Sequence, residues 1–194
     1  MLYPVSRIGV HELDFTPSSP LRKNANLEQI YLEAKFQQAC SLMKHASRYS
    51  WIILGNNDVL ALRNWDHLFE NQEADLLFSR NQSGIVDSGF FAIRSSRYAD
   101  FIEAWKGQAE SSLKQNQSFL QSILDSSEFT ASPFERGEVV HPFEDDTPIR
   151  EIMEAAVVNL SGGTSQEKNK LSFALHMMRT FGDEDGVFLD LMES

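Results

Sequence analysis

Short apolar runs alternate with longer amphipathic stretches along this chain, and this alternation limits its fold more than any other feature. Apolar residues recur at mostly helical spacing from residue 27 to 46, and the strand-forming run Trp51 to Leu54 follows. Further strand candidates are 74–79, 90–94, EVVHPF and AAVVNLSGG, and further helical patterns are 96–113, 116–127 and a segment from Ser165 as cap to Gly182 as stop. Strands that alternate with helices predict an α/β fold with a mostly parallel sheet flanked by helices.

Composition and charge narrow the class of protein. The chain has 194 residues, of which 42% are hydrophobic, and this predicts one globular domain over residues 1–194. Its 17 basic and 28 acidic side chains give a net charge of -11, which disfavours nucleic acid and anionic membranes as partners. Cys40 is the only cysteine, and no run reaches the roughly 18 apolar residues of a membrane span. We therefore expect a cytoplasmic protein without a membrane span.

Three polar residues, Asn56, Asn57 and Asp58, separate the strand at 51–54 from further apolar residues. Ligands of open α/β sheets bind beyond the carboxyl ends of the strands, which is where these residues are expected. A carboxylate and an amide oxygen are suitable ligands for Mg²⁺ or Mn²⁺, which in turn binds phosphate. The alternative is a turn in which Asn and Asp side chains bond their own backbone.

The order of five segments resembles the nucleotide-sugar glycosyltransferases of the GT-A fold, and their galactosyl/mannosyltransferase-like branches most. The resemblance covers most of the chain from about residue 35 onward, and the five segments are WIILGNNDVLALRNWDHLF, ADLLFS, VDSGFFAIRSSRYADFIEAW, NQSFLQSIL and VVNLSGGTSQEK. In that superfamily an Asp-x-Asp motif binds a divalent metal on the donor diphosphate. The resemblance implies a GT-A-like fold, a nucleotide-diphosphate sugar as donor, Mn²⁺ or Mg²⁺ as cofactor, and a carbohydrate or protein acceptor that receives the sugar on a hydroxyl.

The resemblance also implies roles for particular residues. Asn56, Asp58 and Asn159 fall on the metal positions, and Asp87 and Lys168 fall on catalytic positions, where Lys168 would neutralise the departing diphosphate. The implied substrate-binding residues are Lys35, Asn57, Ser88, Gly89, Asn116, Gln117, Gly162 and Gly163. Structural alternatives are a helix cap for Asn116 and solvated surface for Lys35 and Lys168.

Two departures from the family pattern leave a second hypothesis open. Asn56 replaces an aspartate and Asn159 a histidine, so two of three expected metal ligands are neutral amides, which weakens a site for a hard cation. Other charged candidates are Asp66, His67, His141 and the acidic run 144–146. Residues 1–50 fit only about one strand, at 7–15, and one long helix, so we expect the first β-α unit of the family to be shortened or missing. The alternative function is that of a catalytically weak or inactive relative that binds carbohydrate or protein.

Overall fold

The computed structural model describes residues 27–56, 58–81, 83–115, 119–126, 128–143 and 147–181. The helices are α1 (Leu27–Ala46), α2 (Tyr98–Gln115), α3 (Phe119–Asp125), α4 (Ile149–Glu154) and α5 (Ser165–Phe181). The strands are β1 (Trp51–Gly55), β2 (Val59–Ala61), β3 (Leu76–Arg80), β4 (Val86–Arg94), β5 (Ala131–Pro133), β6 (Val139–Val140) and β7 (Val157–Asn159). The predicted α/β class is confirmed.

The strands form two sheets, and both strand directions occur. One sheet has the order β1-β4-β3-β5, and the other has the order β2-β7-β6. In the smaller sheet β2 is antiparallel to β7, while β6 is parallel to β7. Only residues 81–85 connect β3 to β4, and the Asn81 N–H donates to the Ile85 carbonyl at 3.1 Å. Parallel neighbours need a crossover of about a dozen residues, so β3 and β4 are antiparallel and the sheets are mixed rather than mostly parallel as predicted.

Helix α5 begins one residue after its cap, which is Thr164 rather than the predicted Ser165. The Glu167 N–H donates to Thr164 Oγ1 at 3.3 Å, and the Thr164 N–H donates to the Glu167 carboxylate at 2.8 Å. This reciprocal pair is a capping box. The hydrogen bond that the Thr164 hydroxyl donates to the Glu167 carboxylate is the main reason that the pKa of Glu167 is lowered. The predicted stop at Gly182 and the predicted strand at 7–15 lie outside the described residues.

The chain divides into two compact units. The first unit comprises 1–53, 74–76 and 92–130. Its core is aromatic, with Trp105 stacked on Phe119 at 4.1 Å between ring centroids. The buried Tyr98 hydroxyl donates to the Ala39 carbonyl at 2.8 Å, and burial raises the pKa of Tyr98. Lys35 is also buried in this unit, at 7% exposure, so the prediction of solvated surface was wrong.

The second unit comprises 54–73, 77–91 and 131–194. Side chains of β6, α4, β7 and α5 share one apolar cluster, whose members are Val140, Ile152, Ala155, Val158, Leu160, Leu171 and Leu175. This cluster packs the first half of α5 against β7 and the residue that follows it. No helix within the described residues is long and apolar enough to cross a membrane. A single domain over 1–194 stays a prediction.

Candidate functional site

An ion pair between Asp58 and Lys168 joins two segments that lie far apart in the sequence. Asp58 lies in the turn between β1 and β2, and its carbonyl accepts the Leu160 N–H at 3.0 Å. Lys168 lies in the first turn of α5, and its Nζ donates to Asp58 Oδ2 at 2.9 Å. Both side chains are partly exposed, at 27% for Lys168 and 22% for Asp58. The pair is therefore accessible to a ligand.

The second group in this region surrounds the carboxylate of Asp87 on β4. Its Oδ1 accepts the Gly89 N–H at 2.8 Å. The single proton of the Ser79 hydroxyl is shared between Asp87 Oδ2 at 3.3 Å and the Phe90 carbonyl at 3.2 Å. The Nδ2 of Asn159 also donates to Oδ2. Asn159 is fully buried, and its own Oδ1 accepts the Ser161 N–H at 3.1 Å. Three donors thus hold the Asp87 carboxylate in place.

Asn56 and Asn159 connect these two groups. The Asn56 N–H donates to the Gly89 carbonyl at 2.8 Å, and the Asn56 carbonyl accepts the Val59 N–H at 3.3 Å. Val59 is paired with Asn159 in the antiparallel register of β2 and β7. The structure therefore brings together Asn56, Asp58, Asp87, Gly89, Asn159 and Lys168 within the second unit.

The glycines of the region have structural reasons to be glycine. A Cβ on Gly89 would lie 2.7 Å from Asn159 Nδ2 and 3.0 Å from each carboxylate oxygen of Asp87. Gly162 has a φ of 84°, which favours a residue without a Cβ. A Cβ on Gly163 would lie 2.6 Å from Cε2 of the Phe143 ring. Gly162 and Gly163 thus shape the turn before α5, whatever they contribute to binding.

Gly89→Ala should lower the free energy of unfolding by about 1–3 kcal/mol, the usual cost of forcing a methyl group into a packed site. The nearest groups are the polar atoms that hold Asp87 and Asn159 together, so the methyl group also displaces their hydrogen bond. Urea denaturation followed by circular dichroism measures the change. Gly107→Ala on α2 is the control, because its Cβ meets no atom within 4 Å and should stabilise the helix. Equal stability of wild type and Gly89→Ala would contradict this packing.

The residues at the three predicted metal positions do not fit a divalent cation in this arrangement. Asp58 supplies the only negative charge among them, and its Oδ2 is already paired with Lys168. The amide of Asn159 is bonded at both ends, to Asp87 and to Ser161. His67, another candidate, lies 3.1 Å from Glu138. Across the described part of the chain, no group of three or more His, Cys, Asp or Glu side chains is placed to hold a metal ion.

His141, one of the other charged candidates, adjoins this region. Its side chain is fully buried, and Nδ1 lies 3.8 Å from Asp87 Oδ2, which exceeds hydrogen-bond distance. None of the described residues hydrogen-bonds either ring nitrogen. Ser79 is a second neighbour of Asp87 that sequence reasoning missed. A polar residue at the end of the apolar run ADLLFS was the signal that could have identified it.

Of the remaining predicted residues, the structure describes Ser88 and Lys35. Ser88 is on β4 next to Asp87 and is half-buried, whereas Lys35 belongs to the first unit. Asn57, Asn116 and Gln117 lie outside the described residues, as does the acidic run 144–146.

A cavity of about 590 Å³ lies elsewhere in the second unit. Its charged lining residues are Arg80, Arg136, Glu135 and Glu151, so the two signs balance. The lining includes Ser79, whose hydroxyl lies 3.3 Å from Asp87 Oδ2.

Comparison with known proteins shows the fold class. No protein-family model and no curated protein matches this sequence. A solved structure that is similar is that of a glycosyltransferase involved in the glycosylation of the major capsid of PBCV-1. The TM-score is 0.60 with 9% sequence identity, and the match covers 82% of this chain and 81% of that chain. A likeness at this identity concerns the fold, and the chain therefore has a glycosyltransferase-like fold.

Proposed function

We propose that this protein is a glycosyltransferase of the GT-A type that transfers a sugar from a nucleotide-diphosphate sugar to an acceptor hydroxyl. The observation that carries the proposal is the arrangement around Asn159. The partly exposed ammonium of Lys168 is paired with the Asp58 carboxylate. Asn159 donates to a second carboxylate, that of Asp87, which Gly89 and Ser79 also hydrogen-bond. This arrangement occurs in a chain with a glycosyltransferase-like fold.

Lys168 is suited to the leaving group of such a reaction. The bond between the anomeric carbon of the sugar and the diphosphate oxygen breaks, and its electron pair stays on the diphosphate. A positive charge near that oxygen lowers the energy of the transition state more than that of the bound donor. A partly exposed Lys168 ammonium supplies this charge without a conformational change of the backbone.

Asp87 is suited to take the proton from the hydroxyl of the sugar acceptor. A carboxylate has about four acceptor positions, of which Gly89 and Asn159 use two at Asp87, and Ser79 shares its one proton between Asp87 and the Phe90 carbonyl. A remaining acceptor position on Asp87 can take the proton of the acceptor hydroxyl while the hydroxyl oxygen forms a bond to the anomeric carbon. The predicted Mn²⁺ or Mg²⁺ enters no step, because the residues present do not fit it.

The first test is nucleotide binding and turnover by the purified chain. Calorimetry with UDP and with GDP should give saturable binding for at least one of them, and AMP, which has no diphosphate, is the control ligand. With the matching sugar nucleotides and a mixture of oligosaccharide acceptors, chromatography should detect release of the free nucleoside diphosphate.

If neither nucleotide binds at millimolar concentration and no sugar nucleotide is consumed, the transferase proposal is wrong. The alternative of a relative that binds carbohydrate or protein without catalysis would then be the better account. Saturable binding of either nucleotide, lost on competition by pyrophosphate, would support the proposed donor.

A further inference from the structure

We infer that the Lys168 ammonium takes the place of the divalent cation, so that this site binds the diphosphate of its donor without a metal. The inference rests on the proposed function and specifies how the donor is held. It contradicts the prediction that Asn56, Asp58 and Asn159 bind a divalent metal.

The first argument is the state of Asp58. A divalent cation at the three predicted metal positions would need the oxygens of this carboxylate, since the other two positions are the neutral amides Asn56 and Asn159. Lys168 Nζ lies 2.9 Å from Oδ2, and so a cation at that oxygen would meet an ammonium at close range. Like charges repel strongly in a partly buried site, and the ammonium therefore excludes the metal.

The backbone around this pair gives the second argument, because it fixes both partners. The Asp58 carbonyl accepts the Leu160 N–H at 3.0 Å, which ties the turn to the residue after β7. The Lys168 N–H donates to the Thr164 carbonyl at 3.0 Å, within the capped first turn of α5. Both side chains therefore extend from backbone groups that are held by hydrogen bonds.

The third argument is the hydrogen-bonding capacity that remains on Lys168. An ammonium has three N–H donors, and among the described residues Asp58 is the only hydrogen-bond partner of Nζ. The other two donors are available to phosphate oxygens, and the side chain is 27% exposed. Asp58 then orients the ammonium instead of binding a metal.

Asn159 gives the fourth argument. At the position where the family has a metal-binding histidine, this chain has an amide that donates to Asp87 and accepts from Ser161. Its carbonyl and amino groups both serve the protein, so the residue supports the Asp87 carboxylate rather than a cation. The two hydrogen bonds of Asn159 and the pairing of Asp58 thus have one explanation, which is a site that has no metal.

The test is calorimetry of UDP and GDP binding in EDTA and, separately, in MnCl₂. The wild type should bind the same nucleotide with Kd values within twofold in the two buffers. Lys168→Met should weaken binding in EDTA by at least tenfold, while Lys168→Arg, which keeps the charge, should lose less. Lys44→Met, on the exposed surface of α1, is the control for the loss of one positive charge.

The Asp58→Asn variant further distinguishes an Asp58 that binds a metal from an Asp58 that only orients Lys168. If Asp58 binds a metal, this variant loses nucleotide binding. If Asp58 only orients Lys168, the variant should bind nucleotide in EDTA at least as tightly as wild type, because the diphosphate no longer competes with a carboxylate for the ammonium. The double variant Asp58→Asn/Lys168→Met removes both charges, and thermal melts of all variants show whether they fold.

Each outcome decides between the proposals. Nucleotide binding that needs Mn²⁺, or that is unchanged in folded Lys168→Met, overturns the metal-free site and leaves the transferase proposal standing. Absence of nucleotide binding in both buffers overturns both. Binding in EDTA that is lost in Lys168→Met and kept in Asp58→Asn supports both.

Discussion

Asp87→Asn is expected to slow sugar transfer by about 10²- to 10⁴-fold, the usual contribution of a positioned proton acceptor. The substitution keeps the size of the side chain and removes its charge. It also places an amino group opposite one of the donors that now hold the carboxylate, which are Gly89 N, Asn159 Nδ2 and Ser79 Oγ. A buried donor left without an acceptor costs about 1–3 kcal/mol, so we expect a lower free energy of unfolding as well. Initial rates with saturating donor measure the first effect, and urea denaturation measures the second.

Two controls separate chemistry from folding for this variant. Asp66→Asn removes one carboxylate from the exposed 3-10 helix of the same unit and should change the rate by less than twofold. Nucleotide binding by Asp87→Asn should stay within about threefold of wild type, because Asp87 contacts the acceptor rather than the diphosphate in our proposal. A folded Asp87→Asn protein that transfers sugar at the wild-type rate would remove Asp87 from the reaction.

Local periodicity predicted the long elements of this fold well, since a long amphipathic helix or apolar run carries its signal in many residues. The helix α1 was expected from 27 to 46 and is observed as Leu27–Ala46. Strands β2 and β5, which were not predicted, have three residues each, which is too short for a period of two to be recognised. The strand directions were also mispredicted. A mostly parallel sheet was expected, whereas the short connection between β3 and β4 requires these two strands to be antiparallel.

The residues of the candidate site came from the order of motifs, and their contacts did not follow from the sequence. Asp58 and Lys168 are 110 positions apart, and Asp87 and Asn159 are 72 positions apart. Local sequence patterns offer a turn for Asp58 and Asp87 and a solvated side chain for Lys168, because the partner that gives each residue a role lies on another element. The alternative of solvated surface for Lys35 was wrong for the same reason. Lys35 occupies a polar position of α1, and the packing of the first unit buries it.

Trp105→Ala should have the largest effect on stability, a loss of about 3–5 kcal/mol in the free energy of unfolding, as for other large aromatic side chains removed from a core. The Trp105 side chain is only 2% exposed. Its ring stacks on Phe119 with an interplanar angle of 4° and meets the edges of Phe36 at 5.4 Å and Phe101 at 5.9 Å. Removing the indole leaves these rings without their common partner, and the cavity adds to the lost burial.

The measurement is urea denaturation followed by circular dichroism at 222 nm, which does not depend on the fluorescence of the deleted tryptophan. Trp105→Phe should lose less than Trp105→Ala, because a smaller ring can keep part of the stack. Tyr49→Ala removes an aromatic residue that is 37% exposed and should change stability by about 0.5 kcal/mol or less. Equal losses for Tyr49→Ala and Trp105→Ala would contradict a core centred on Trp105. The aromatic cluster joins α1, α2 and α3, so its weakening should lower the stability of the whole first unit rather than of one helix.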